Sequence, residues 1–544
     1  MIDVREITRG NISALTIRNA ASKSLLVMSQ SNAVFIALLI LVFLSLGLAG
    51  ILNHEMWRDE LKAWLIARDS SSISHLFHNF RSEAHPGLWY FCLYALSRFT
   101  HNPVAMQIFH LMLATGVIFL FAGFSPFTKL QKILFSFGYF PFYEYAVISR
   151  NYAIGVLLIF SFCALFNKPN KKHFILLCVL ILLANANLYS LIIAISLGLI
   201  LLFDIVDTRE SKSPDQRRWT ILGLFMFILG IVVVIIRIIP PSFDTPEKVM
   251  RPPLLDRYRF VASVMTVWKS YIPLPNILVH SFWNTNILMA VPHGWTLGFF
   301  FSLGLLILSS ILFIRKPIVL FLYLFGTLGI LTFTFTKLIG GVRHWGHMFI
   351  LLVVCLWISG YYTERKLKWL SPKLAHAIDL PAKHKNKFIT VILGVHLVAG
   401  IFAMSMDLLY PFSGSKQTAT FIQKQRMTNM PIVASSETGV AYTLSAYLDK
   451  KIYTSRNTTP EENIVKLNQL TALCNEDVLY ISNYREDIDK QDSHVFELAE
   501  FTKNLVSEDK EKFYLYLIRR PKTDIAAKAE PCDIGALYQW AGYQ

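Results

Sequence analysis

From Asn32 to Leu52 the chain runs without one charged residue. A stretch of that kind can cross the hydrocarbon core of a bilayer, which takes roughly 20 apolar residues as a helix. The pattern recurs, and eleven spans are expected, at about 32–52, 104–123, 131–148, 150–167, 173–186, 188–206, 219–239, 294–314, 317–336, 343–362 and 388–407. Inside a bilayer no water bonds the backbone, so each span must satisfy its own N–H and C=O groups as a helix. With 54% hydrophobic and 16% charged residues, the chain carries too little charge for a soluble protein of this length. The third to sixth spans are broken: Glu144 and Arg150 interrupt one apolar pair, Asn185-Ala186-Asn187 another. Short, interrupted spans are where a buried site is built.

The net charge of +16 does not point to nucleic acid, because its distribution is one-sided. From Leu408 onward sixteen Lys and Arg stand against eighteen Asp and Glu, so the excess lies between the spans. It falls at Arg5 to Lys23, Lys129 and Lys132, Lys168 to Lys172, Arg209 to Arg218, Arg315-Lys316 and Arg365 to Lys387, on alternate sides of successive spans. Cytosolic loops carry such excess. The tail 1–31 and the Lys366 to Lys387 loop are therefore expected in the cytosol of a cell with this protein in its inner or plasma membrane. Asp59, Gly341 and everything after residue 407 are expected outside. The start is too polar, and the first span too long, for a cleaved signal peptide. Of six cysteines none forms a CxxC pair, so no thiolate metal site is indicated; Cys474 and Cys532 are the pair available for an exported disulfide.

Residues 408–544 change to the composition of a soluble domain. A helix is expected over Ser415 to Gln425, with strands over 431–435, 451–455, 477–482, 494–501 and 512–518, the last two antiparallel. Alternation of this kind predicts a small α/β domain. It lacks a Gly-rich phosphate loop, and a lid or acceptor platform is its expected role. The fold class is thus a polytopic α-helical membrane protein (32–407) with a C-terminal soluble α/β domain.

Between the first two spans lies a polar loop, 53–103, in which Asp59 and Glu60 stand side by side close to the membrane, a costly placement for two carboxylates. From Leu61 the loop reads as two short amphipathic helices, the second with Ile73, Leu76, Phe77 and Phe80 on one face. The order WRDELKAWLIARD, then EAHPGLWYF, then Ser149-Arg150-Asn151-Tyr152-Ala153 resembles the polyprenyl-phosphate-sugar-dependent glycosyltransferases of the GT-C fold, and within them the bacterial relatives of protein O-mannosyltransferases and lipid A aminoarabinose transferases. Pro86-Gly87 stands where that family commonly has two prolines. The resemblance implies an acidic pair in the first exoplasmic loop and an arginine some helices later, acting on a polyprenyl-phosphate sugar donor and a glycolipid, polysaccharide or protein acceptor.

The chemistry needs one base and several cations at the interface, because an acceptor hydroxyl loses a proton while a phosphate leaves. Asp59 and Glu60 are the expected catalytic residues, with Asp59 the base of an inverting transfer, its pKa pushed up by burial and by Glu60. Arg150 and Arg343 are the expected phosphate ligands, guanidinium being able to grip two oxygens, with His344 and Lys337 beside them and Glu83, His85 and His347 as further substrate contacts. The bland alternatives are an Arg150 that snorkels at a helix end or pairs with Glu144, and a headgroup-binding cluster at Arg343, His344 and His347. His54, Glu60, Glu83 and His85 include carboxylate and imidazole ligands suited to a divalent metal, with Glu60 and His85 the foremost candidates. Two other functions compete: a transporter or flippase of lipid-linked saccharides, and a non-enzymatic cell-envelope assembly protein whose tail binds partners.

Overall fold

The computed structural model describes residues 32–83, 85–166, 172–207, 213–238, 256–365, 372–435, 438–454, 471, 476–485, 494–507, 511–519 and 539–540. The N-terminal tail, most of the Lys366 to Lys373 stretch, Cys474 and Cys532 lie outside the described residues or their side chains. Among the described residues, eight helices are long and apolar enough to cross a membrane: α1 (Asn32–Asn53), α5 (Val104–Phe124), α9 (Leu188–Asp207), α10 (Pro214–Ile238), α12 (Gly294–Phe313), α13 (Pro317–Thr336), α14 (Val342–Ile358, extended by a turn to Tyr361) and α16 (Lys385–Leu409). The chain is a polytopic α-helical membrane protein with a small mixed sheet at its C-terminal end.

Burial sorts these helices. Positions 342–355 of α14 are buried on nearly every side, Arg343 being the exception, as expected of a helix that is apolar all round and sits at the centre of a bundle. By contrast α10 exposes Ile221, Phe225, Ile228, Val233 and Ile236, a face that only a lipid-like surroundings would favour.

Three of the eleven expected spans are not full-length helices. Over 131–148 the chain makes a short α6 (Lys129–Ser136) and then a π-helical segment, Tyr139–Val147, in which every residue is buried. Pro141 in its first turn has no N–H to give, and the wider winding lets Ile148 N–H reach the Tyr143 carbonyl at 3.3 Å. Such backbone is tolerated at membrane depth when protein surrounds it. The other two are α7 (Tyr152–Phe166) and α8 (His173–Ala184), of 15 and 12 residues. They end at the expected interruptions, Arg150 and Asn185 to Asn187.

The loop after α1 holds α2 (Arg58–Arg68), α3 (Ile73–Asn79) and a helix the sequence did not announce, α4 (Leu88–Ser97). A second unannounced helix is α11 (Arg257–Tyr271), capped by the Asp256 side chain, which accepts from Arg259 N–H at 3.1 Å. Its aromatic and basic composition hid a face of Ala262, Met265, Thr266 and Val267 that packs against α12 and α14.

At the end of the bundle where α1 begins, Lys129 lies over the Phe35 ring and Lys316 reaches Glu364. Here α15 (Pro372–Lys383) is tied to Arg315 by the bidentate Asp379. The C-terminal region packs at the other end. Its strands β1 (Ile432–Ala434), β2 (Tyr453–Thr454), β3 (Val478–Ser482), β4 (Val495–Phe501), β5 (Phe513–Ile518) and β6 (Gln539–Trp540) order as β4-β5-β3-β1-β2-β6. Strand β1 is parallel to both its neighbours and the outer pairs, β4–β5 included, are antiparallel. Helix α17 (Ser415–Lys424) spans the expected stretch. Helix α18 (Thr438–Leu448) lies on α2: Tyr442 and Ala446 join Leu61, Trp64 and Leu65 in one apolar cluster, and Tyr447 Oη donates to the Met56 carbonyl at 3.3 Å.

Candidate active site

Between α1 and α2 the chain turns through His54 to Trp57. Glu60, in the first turn of α2, reaches back so that its Oε2 accepts the Trp57 N–H at 3.1 Å, while its Oε1 accepts the Ser149 N–H at 2.6 Å. A carboxylate at this place satisfies helix-start donors that have no partner within the helix. His54 Nε2 also meets Glu60 Oε2 at 3.1 Å, and its Nδ1 meets Asp407 Oδ2, at the end of α16, at 2.7 Å. Burial disfavours the charged ring, yet Asp407 and Glu60 on either side lift His54 to about 10, so it is an imidazolium at neutral pH. Glu60 is fully buried and its carboxylate is committed. It is a strut between the loop and the segment before α7.

Asp59 points elsewhere, as adjacent helical positions require. Its Oδ2 lies 3.3 Å from the Arg343 guanidinium and 4.0 Å from that of Arg150, and its carbonyl accepts from Arg150. Arg58 stands 3.7 Å from Oδ1 and also 3.8 Å from Glu511 of the C-terminal region. The expected upward pKa shift is therefore corrected. Burial alone would raise the Asp59 carboxyl, but Arg150, Arg343, Arg58 and Lys62 outweigh it and hold the group below the usual carboxylate range.

Arg343 lies against a pair of indoles, 5.0 Å from the Trp57 ring centre and 5.1 Å from that of Trp283, which themselves meet edge to face at 4.8 Å, a setting that suits guanidinium. Arg150 is not the partner of Glu144, whose Oε1 accepts from Tyr139 Oη at 3.0 Å and Trp283 Nε1 at 2.9 Å. Both arginines still have a buried Nε–H without a partner.

His85 belongs to the same neighbourhood: burial, Arg150 and Arg343 push it down to about 4 against the pull of Glu83 and Asp59, so it is neutral. Glu83 meets Lys62 at 2.7 Å and receives the Tyr90 hydroxyl at 3.4 Å. His344 and His347 lie on the first turns of α14, their rings against Tyr152 and Tyr189. Lys337 is exposed, and among the described residues no hydrogen bond or ion pair brings it to the others. The four residues named for a metal are not brought together as one set: Glu60 faces His54, His85 sits with Glu83, and among the described residues no group of three His, Cys, Asp or Glu is placed to hold a metal.

Sequence reasoning did not single out Trp57, Trp283, Tyr189, Arg58, Asp407 or Glu511. Tyr189 left a signal, since it follows the Asn185-Ala186-Asn187 break, and Trp57 and Arg58 stand beside Asp59 in the motif that carries it. Trp283, Asp407 and Glu511 are brought in by chain segments remote in sequence. Several of the buried polar atoms without partners lie at this place: Arg150 Nε, Arg343 Nε, His85 Nδ1, Tyr152 Oη, Tyr189 Oη and His347 Nε2. Native interiors rarely leave such atoms unpaired, and a site that receives a polar, anionic molecule is the economical explanation.

No protein-family model matches the sequence, and no curated protein matches it. Among solved structures, ArnT from Cupriavidus metallidurans bound to undecaprenyl phosphate is similar with a TM-score of 0.47 at 10% identity, over 91% of this chain and 99% of that one. The apo state of the same protein gives a TM-score of 0.45 at 12% identity, over 88% and 97%. Likenesses this distant transfer no residue role to this chain.

Proposed function

We propose that this protein is an integral-membrane glycosyltransferase that moves a sugar, with inversion, from a polyprenyl-phosphate donor to an acceptor on the Asp59 side of the membrane. The observation that carries the reading is the pairing of Asp59 with Arg150 and Arg343 at one end of the bundle. Two guanidiniums with unused N–H groups suit a lipid phosphate. A carboxylate between them suits the proton that the acceptor must lose.

The low resting pKa of Asp59 fits this role in a particular way. When a phosphodiester takes up Arg150 and Arg343, it brings a negative charge beside Asp59 and draws off its counter-charges. Both effects raise the carboxyl pKa. The carboxylate becomes a competent base only with donor in place. The acceptor oxygen then forms its bond to the anomeric carbon as the bond from that carbon to the phosphate oxygen breaks. The phosphate leaves with the electron pair and the acceptor proton passes to Asp59. Catalysis by the side chains alone is one positioned base plus electrostatic hold on the leaving group.

The test uses purified full-length protein, a radiolabelled polyprenyl-phosphate sugar and water or a simple alcohol as surrogate acceptor. Release of label should depend on Asp59 and saturate with donor. Failure of the wild-type protein to bind polyprenyl phosphate at all would remove the reading.

A further inference from the structure

The two arginines are each followed at once by part of a second constellation. Tyr152 lies two residues after Arg150 at the start of α7, His344 and His347 follow Arg343 on α14, and Tyr189 opens α9 opposite them. The four rings pack on one another: Tyr189 stacks on His347 at 5.2 Å and lies 5.4 Å from His344, while Tyr152 stands 5.5 Å from His347 and 5.8 Å from His344. All four are buried, Tyr152 to 1% and Tyr189 to 3% exposure, and neither tyrosine hydroxyl has a partner. The Asn151 side-chain oxygen and the Ser190 hydroxyl, next in sequence to these tyrosines, are also buried and unpartnered.

The hydrogen bonds assign the histidine tautomers. His344 Nδ1 accepts from the Gly341 N–H at 2.8 Å, so the neutral ring carries its proton on Nε2 and presents a donor. His347 Nδ1 lies 3.2 Å from the His344 carbonyl, which can only accept; its proton is therefore on Nδ1, and its buried Nε2 presents a lone pair with no partner. The set thus offers a donor, an acceptor and two tyrosine hydroxyls that do both. That mixture matches alcohol groups, each of which gives and takes a hydrogen bond. It does not match a cation. Among the described residues no hydrogen bond or ion pair brings a carboxylate to any of the four rings, and the charges beside them in sequence are the guanidiniums of Arg150 and Arg343.

We infer that Tyr152, Tyr189, His344 and His347 seat the donor's sugar, and that they select a neutral, hydroxyl-bearing sugar over a cationic amino sugar. The inference rests on the reading of this site as one for polyprenyl-phosphate sugars. An ammonium group here would meet the like charge of Arg150 and Arg343, whose nearest carboxylate, Asp59, those guanidiniums already hold, whereas sugar hydroxyls would complete hydrogen bonds that the protein leaves open.

The experiment measures binding to the purified full chain of four kinds of probe. They are bare undecaprenyl phosphate, undecaprenyl phosphates carrying glucose, galactose or mannose, and one carrying 4-amino-4-deoxyarabinose. At least one neutral-sugar lipid should bind more tightly than the bare lipid, and the amino-sugar lipid no more tightly. Tyr152→Phe and Tyr189→Phe should each weaken the preferred neutral probe by about 3- to 10-fold, the range of a single hydrogen bond. Bare-lipid affinity should stay unchanged. Because each removes a buried unpaired hydroxyl, the ligand-free variants should melt at or above the wild-type temperature, which a merely structural tyrosine would not do. Tightest binding of the amino-sugar lipid, or variants that alter bare and sugar-bearing lipids alike, would overturn the inference and leave the donor reading standing. Absence of any bare-lipid binding would overturn both. Should a variant unfold, the wild-type ranking of neutral against amino probes decides alone.

Discussion

Asp59 and Glu60 are chemically near-identical neighbours with opposite fates. Glu60 is fully buried and closed on itself: His54, the Trp57 N–H and the Ser149 N–H use its oxygens. The Asp59 side chain keeps 28% of its surface and faces two arginines that have donors to spare. The difference teaches how to separate scaffold from chemistry when two acids adjoin. The acid whose hydrogen bonds are complete holds the structure, and the acid surrounded by incomplete ones is available to a substrate.

The contrast breaks most sharply in a pair of variants. Asp59→Asn keeps size and most hydrogen bonds but cannot take a proton, so turnover should fall about 10²- to 10⁴-fold with the melting temperature nearly unchanged. Glu60→Ala should do the reverse at the level of stability. It strips the imidazolium of His54 of one of its two carboxylates, and breaking a buried pair typically costs about 3–5 kcal/mol. A melt of the purified variants, read beside donor turnover, checks both. An unstable Asp59→Asn with a robust Glu60→Ala would invert the assignment.

Exchange of arginine for lysine sharpens the Asp59 side. Arg343→Lys keeps the charge, weakens the contact with the Trp57 and Trp283 rings, and offers one point of contact where guanidinium offers two. Donor affinity should fall roughly tenfold, measured by titration with undecaprenyl phosphate. Arg150→Lys should weaken the donor to a similar degree.

The Glu60 side has a signature in pH. His54, raised from 6.5 to about 10, contributes stability that is fully present below pH 6.5 and is lost as pH rises through about 10. Glu55 and Glu511, which burial raises from 4.5 to about 7, add a loss between those values as pH rises. Thermal stability should accordingly decline from pH 7 to pH 10, and His54→Gln should flatten that decline. An equal slope in the variant would show that the imidazolium is not the group responsible. The smallest effect is expected from Lys337→Ala, which should leave donor affinity within twofold of wild type, on the order expected for an exposed side chain.

Much of this was legible in the sequence, for reasons that differ by residue. The long apolar helices and the strands of the C-terminal region follow from local periodicity, which needs no knowledge of neighbours. Asp59, Arg150 and Arg343 stood out because charge at an apolar boundary is costly and asks for a partner; the structure shows that they are one another's partners. The rest was hidden by distance along the chain. Nothing near His54 announces Asp407, and nothing near Arg343 announces Trp57. The expected rise in the Asp59 pKa failed because burial was weighed without the cations: Arg58 and Lys62 stand nearby in sequence, but the two strongest, Arg150 and Arg343, are brought in from distant segments. Helix α11 escaped because its basic and aromatic residues mask the buried face, and the 131–148 span because π-winding around Pro141 keeps the composition of a helix without its reach.

The contact between His54 and Asp407 joins residues 353 positions apart. During synthesis the first span enters the bilayer with its histidine already made, whereas the aspartate arrives only with α16. Until then the loop bearing Asp59 lacks the clasp that pulls it onto the bundle, and Arg58 lacks Glu511, which comes later still. The end of the bundle that bears Asp59 is thus completed only after residues 407 and 511 have been made. A chain ended before them would span the membrane yet leave this loop unclasped.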